Sequence, residues 1–419
     1  MTSMSRFLIA AVLVGLVACS SAQSNMGSGG GTGSGGAKGT GGVSGSGGAK
    51  GTGGSEADHP AAFPFPQMKK PAMCNLTSVA GASNQAKNAY STWYSAFVTD
   101  SGAMGGLRVR RPTTSNDTVS EGIGYGMLAA VYVGDRPTFD GLWKYAQAEA
   151  DSYSGKVLMN WHIDASGSPI PTNGKEPGSA TDADEDMAWA LLMANKQWGA
   201  QSYLDDAADV INAIYNYAIG ADGLLKPGDN WGNGDIHTFP DYFSPAYFRV
   251  FATVTNNNAW VKGILDRNYE VLMKVADANG LVPDQTTGDY MTVPNMNTYS
   301  YDACRTPWRI GMDYCFNEEP KALAYLTKIG AFFGGKGAAN IVDGYAVGSG
   351  NPTGNTKNMA FIGPAGIAGM PTSLNLQTLL DGAFMFGVST TSNDYYKDSL
   401  RVITMLFMSG NFVDFTRSN

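Results

Sequence analysis

The sequence predicts an all-α fold, a double ring of helices whose connecting loops form a cleft at one end. Apolar residues recur at spacings of three and four over about twelve separate segments. Several of those segments are apolar nearly all round, as helices enclosed by other helices are. The joints between them are long, polar and rich in Gly, Asn, Asp and Pro. Twelve helices in pairs fit a double-ring (α/α)6 barrel.

Residues 1–18 carry one cation, Arg6, and an apolar run from Phe7 to Val17. That run is shorter than the roughly 20 residues of a membrane span, and the segment reads as an export signal. Cys19 follows Leu16, Val17 and Ala18, which resembles the lipobox of bacterial lipoproteins; a plain cleavable signal is the alternative. Residues 19–58 hold that candidate lipidation site and a Gly/Ser-rich linker in which SGGAKGTGG occurs twice. With nothing to bury, the linker is a tether. Residues 59–419 contain no second linker and read as one large domain.

Within it, helical spacing picks out 82–98, then 124–133, which follows a cluster of glycines, then 139–151. The segment 184–198 follows Thr181, a residue able to cap a helix, with acids in the first turn that complement the helix dipole. Further segments are 203–219, 245–254, 259–278 and 307–316, the last opened by Pro307, a residue suited to a first helical position. The remainder are 319–335, 358–369, 373–386 and 395–408.

A formal charge of −8 and the absence of a basic cluster exclude a nucleic-acid partner, whose binding rests on Lys and Arg. Histidines 59, 162 and 237 are scattered, so no metal-binding spacing exists. "GIGYGM" has Met127 where a dinucleotide fingerprint needs glycine. No cofactor is expected. If Cys19 is lipidated, Cys74, Cys304 and Cys315 allow one disulfide at most; on a continuous helix Cys304 and Cys315 stand roughly 16 Å apart, too far to bridge. Cys74 with either partner, or three buried thiols, both remain open.

What remains is carboxylates in aromatic company. In "SEGIGYGM" Glu121 precedes glycines 122, 124 and 126. Each glycine costs a helix on the order of 1 kcal/mol, so the cluster is expected to let a polymer lie against the backbone, with Tyr125 and Met127 as apolar walls. In "TDADED" Asp182 and Asp186 share a face while Asp184 points elsewhere, and a sugar hydroxyl is a candidate partner. In "YDACRTPWR" Asp302 stands between Tyr301 and Arg305, a phenol and a cation expected to keep it ionised.

These stretches resemble glycoside hydrolase family 8: "ATDADEDMAWALLMANKQW" matches its signature, and "SEGIGYGM", "LMNWHID", "PDYFSPAYFRVF" and "YDACRTPWR" match its other blocks in order. The resemblance implies an inverting hydrolase on an (α/α)6 barrel, with Glu121 as general acid, Asp302 as general base and Asp182 as a carboxylate that binds and distorts the sugar. It implies Tyr242 and Arg305 around the attacking water, Trp161 and Trp231 as stacking platforms, and Tyr125, Asp184 and Tyr301 among the substrate contacts. The Tyr301-Asp302 pair favours the endoglucanase-like branch over the chitosanase-like one. Asp241 departs from the smaller polar residue that relatives often carry before the tyrosine.

The expectation is an exported monomer, at the cell surface or secreted, that cleaves a β-1,4-glucan internally and meets a membrane only through a lipid anchor. Xylanase or chitosanase action and a non-catalytic polysaccharide-binding lipoprotein are the alternatives. Inversion needs carboxyl groups roughly 6.5–9.5 Å apart.

Overall fold

A computed structural model describes residues 60–171, 176–231 and 237–417. The signal, Cys19 and the linker lie outside the described residues. Among the described residues, twelve α-helices alternate between two environments: α1 Ala82–Phe97, α2 Ser120–Val133, α3 Arg136–Ala148, α4 Thr181–Trp198, α5 Gln201–Tyr217, α6 Pro245–Val254, α7 Asp266–Val275, α8 Thr306–Asn317, α9 Pro320–Lys336, α10 Met359–Ala368, α11 Gln377–Ser389 and α12 Tyr395–Met408. Even-numbered helices are buried over most of their surface, α6 keeping only Arg249, Thr253 and Val254 toward solvent; α10 buries all ten residues. Odd-numbered helices keep a polar face, and α1 buries six of sixteen.

The even helices form the inner ring. Helix α2 packs on α4 and α12, α10 on α8 and α12, and α6 on α8. Between α4 and α6 the ring is closed by Trp189 stacked on Tyr247 at 4.4 Å, with the Tyr247 hydroxyl donating to Asp186 at 3.0 Å. All twelve expected helices are present. Two differ: residues 260–265 form a π-helical turn ahead of α7, which keeps Trp260, Ile264 and Leu265 buried, and the segment expected from residue 373 opens as a separate 3-10 turn, Thr372–Leu374, ended by Asn375 in the left-handed region, so that α11 begins at Gln377.

Two short antiparallel pairings shape the cleft end. Thr118 and Val119 pair with Ile163 and His162, and Ser120 donates its N–H to the Trp161 carbonyl at 2.9 Å, so Trp161 is fixed beside the start of α2. His237 and Thr238 pair with Thr287 and Thr286, which sets Gln285 near the turn Pro240–Tyr242. A disulfide joins Cys74 to Cys315, and Cys304 is a buried free thiol. That resolves the pairing the sequence left open.

Candidate active site

Every carboxylate expected to act stands at or just before the N-terminus of an inner helix. Glu121 is in the first turn of α2, Asp182 in the first turn of α4, and Asp302 in the turn leading into α8. Helix N-termini carry partial positive charge, so inner helices that start at one end make a natural seat for acids. Glu121, Asp302, Trp161, Trp231 and Tyr242 line one cavity of about 230 Å³, together with Ser179, Ala180, Pro227, Phe239 and Gln285.

The two acids have different surroundings. Glu121 is half-buried, and its Oε2 is buried without a hydrogen-bonding partner. Burial, and then the charge of Asp182, push its carboxyl up to about 7 against the opposing pull of Arg305. It therefore holds a proton where an ordinary glutamate has lost it. Asp302 is 35% exposed on its side chain and receives Arg305 Nη2 at 3.2 Å. Burial still raises it, with Arg305 opposing and Asp182 adding to the rise. This corrects the expectation that Arg305 simply holds Asp302 ionised, because the guanidinium is divided.

Arg305, 1% exposed, is the hub beneath the cavity. Its Nη1 pairs with Asp182 Oδ2 and donates to the Tyr125 hydroxyl at 3.0 Å, while Nη2 lies 2.7 Å from Asp241 Oδ2. The guanidinium also covers the ring of Tyr242, 5.4 Å from its centroid, and Phe239 stacks on the other partner of that pair at 4.8 Å. Tyr125 thus lies in the layer under the cleft instead of forming its wall. Asp182 is in that layer too, 1% exposed, with Oδ1 unpartnered.

Other expectations are corrected by packing. A Cβ on Gly124 would stand 3.0 Å from the Asp186 Cβ, and one on Gly126 2.7 Å from Leu142. A Cβ on Gly122 would meet Val109 at 3.2 Å. The glycines therefore let neighbouring segments pack closely on α2, not a polymer approach the backbone, and Met127 is core. Asp186 is bonded by Arg309 through both oxygens, one at 2.9 Å. Asp184 is fully buried, raised well above the usual carboxylate range by burial and by Asp151 and Asp229, and it meets protein instead of a sugar hydroxyl. The Tyr301 hydroxyl donates to Asp343 at 2.9 Å, so the phenol does not hold Asp302.

Asp284 escaped sequence reasoning. It is 7% exposed, and its Oδ1 accepts the N–H groups of Ser300 and Ala303 at 2.9 Å each, bracing the turn that presents Asp302. It sits in "PDQTT", outside any helical pattern. The pairing of 286–287 with 237–238, and backbone bonds from Asp284 to Thr298 and from Gln285 to Met296, bring both residues to the site.

The model of "Glycosyl hydrolases family 8" matches residues 63–410. Endoglucanase A of Acetivibrio thermocellus is 38% identical over 336 residues, covering 78% of this chain and 69% of that protein. A β-glucanase of Niallia circulans is 30% identical over 393 residues, covering 84% and 93%. The apo structure of a β-1,3-1,4-glucanase from Paenibacillus sp. X4 superposes with a TM-score of 0.76 at 30% identity, over 83% of this chain and 98% of that one.

Proposed function

The chain belongs to glycoside hydrolase family 8, and from that premise we propose that it is an inverting, endo-acting β-1,4-glucanase with Glu121 as general acid and Asp302 as general base. The observation that carries the assignment is one cavity holding two acids of unlike surroundings together with two tryptophans. A glycosidic oxygen leaves as an alkoxide unless a proton arrives with it. Glu121, raised to about 7, supplies that proton as the bond from the anomeric carbon to the oxygen breaks.

On the opposite face a water held by Asp302 attacks the anomeric carbon and gives its proton to that carboxylate. Tyr242, fixed against Arg305, borders the water's position. Asp182 acts on Glu121 through its charge, from the layer beneath the cavity, and is not among the residues that line the space for the sugar. Trp161 and Trp231 take the apolar faces of sugar rings by stacking.

The test uses Glu121→Gln and Asp302→Asn. Each should bind soluble β-glucan and release no reducing ends, and wild-type product observed by NMR should appear first as the α-anomer. Wild-type turnover by Glu121→Gln, or a β-anomer appearing first, overturns the assignment. Carboxymethylcellulose, mixed-linkage glucan, xylan and chitosan compared side by side identify the preferred glycan.

Export with a lipid tether at Cys19 is part of the same proposal. The Cys74–Cys315 disulfide supports an oxidising compartment. Cys19→Ser should move the protein from the membrane fraction to the soluble one; an unchanged membrane fraction removes the tether.

A further inference from the structure

The rings of Trp161 and Trp231 come from separate loops, and the loops are tied to each other by a buried side chain. We propose that Asp229 is a positioning residue for substrate binding, its carboxylate clasping the loop that carries Trp231 to the strip of chain beside Trp161 and so setting the two rings as a pair of platforms. This rests on the reading of both tryptophans as sugar platforms.

Asp229 Oδ1 accepts the N–H of Ser179 at 2.9 Å and that of Asn230 at 2.7 Å. Ser179 adjoins Gly178, whose carbonyl accepts the Trp161 N–H at 2.8 Å. Asn230 precedes Trp231 and also donates from Nδ2 to the Glu176 carbonyl at 2.7 Å. Thus one oxygen joins the segment beside Trp161 to the segment that carries Trp231. Buried N–H groups need an acceptor, and Asp229 supplies it for two of them while standing 9% exposed.

The fit leaves little slack. A Cβ on Gly228 would fall 2.1 Å from the Ser179 carbonyl oxygen, and one on Gly178 2.5 Å from the Asn230 amide. Behind Asp229 lie Asp151 and Asp184, both raised by burial, Asp151 to about 7. Lys226 anchors the same turn by donating to the Asp229 carbonyl at 3.3 Å.

The experiment compares the full chain with Asp229→Ala, Asp229→Asn, Gly228→Ala and Trp231→Ala on cellohexaose. Asp229→Ala should raise KM about tenfold, the size of one lost stacking contact, with a much smaller effect on kcat. Asp229→Asn keeps an acceptor oxygen and should restore most of the affinity. Gly228→Ala should reproduce the KM defect without touching the carboxylate, and it decides the matter if Asp229→Ala fails to fold. A wild-type KM in Gly228→Ala or Asp229→Ala, alongside a raised KM in Trp231→Ala, overturns the clasp and leaves the platforms standing. A wild-type KM in Trp231→Ala overturns the platform reading and the clasp with it.

Discussion

Asp241 and Asp302 share a single nitrogen, Nη2 of Arg305, at 2.7 and 3.2 Å. Burial raises both, and the charge of Asp302 adds to the rise of Asp241. A general base works only when ionised, so the acid limb of the pH profile follows Asp302. Asp241→Asn removes the competing carboxylate and leaves Nη2 of Arg305 to Asp302. The acid limb of kcat/KM on soluble glucan should then move to lower pH while the alkaline limb stays. An unmoved acid limb would mean that Asp241 carries a proton throughout the working range.

The alkaline limb belongs to Glu121. Wild-type kcat/KM should fall above pH about 7, where this acid loses its proton. Asp182 raises Glu121 directly, and it also occupies Nη1 of Arg305, the cation that lowers Glu121. Asp182→Asn therefore acts twice in the same direction. Its alkaline limb should lie at lower pH than that of the wild type, as well as its kcat being reduced; a limb moved upward contradicts the electrostatic account.

The helices and the lining of the cleft were legible because their signals are local. Spacing of three and four marks each helix, and Glu121, Asp302, Trp161 and Tyr242 sit in blocks that keep their order along the chain, with Trp231 in the loop between two of them. What lies beneath the cleft was not legible. The partners of Arg305 come from α2, from α4 and from the turn at 240–242, up to 180 residues away, and no local pattern records such a pairing. The glycines show the same limit: residues 124 and 126 are answered by Asp186 and Leu142 on neighbouring helices. Asp284 has only backbone partners across a loop. Cys74 meets Cys315 across 241 positions, and spacing excluded only the alternative within one helix.

That disulfide ties the segment before α1 to the end of α8. Closing a loop of 241 residues restricts the unfolded chain by about 5 kcal/mol at most. Reduction, or Cys74→Ser with Cys315→Ser, should lower the midpoint of thermal unfolding. Because the bridge is remote from the cavity-lining residues, kcat at 25 °C should stay near the wild-type value. Unchanged thermal unfolding after verified reduction would show that the bridge contributes nothing to stability.

Asp284 links the site to the pH dependence of stability. Burial, and then the charge of Asp302, raise it from 3.8 to about 7. With the folded pKa above the unfolded one, the native state binds more protons between those values, and stability falls as pH rises through that window. Asp284→Asn keeps an oxygen for Ser300 and Ala303 but does not titrate. The difference in unfolding midpoint, variant minus wild type, should therefore grow in favour of the variant from pH about 4 to about 7 and level off above it. A difference that is flat across that window, or that grows in favour of the wild type, would show that Asp284 is ionised in the native state well below neutrality and braces Asp302 as a charge instead of as a neutral acceptor.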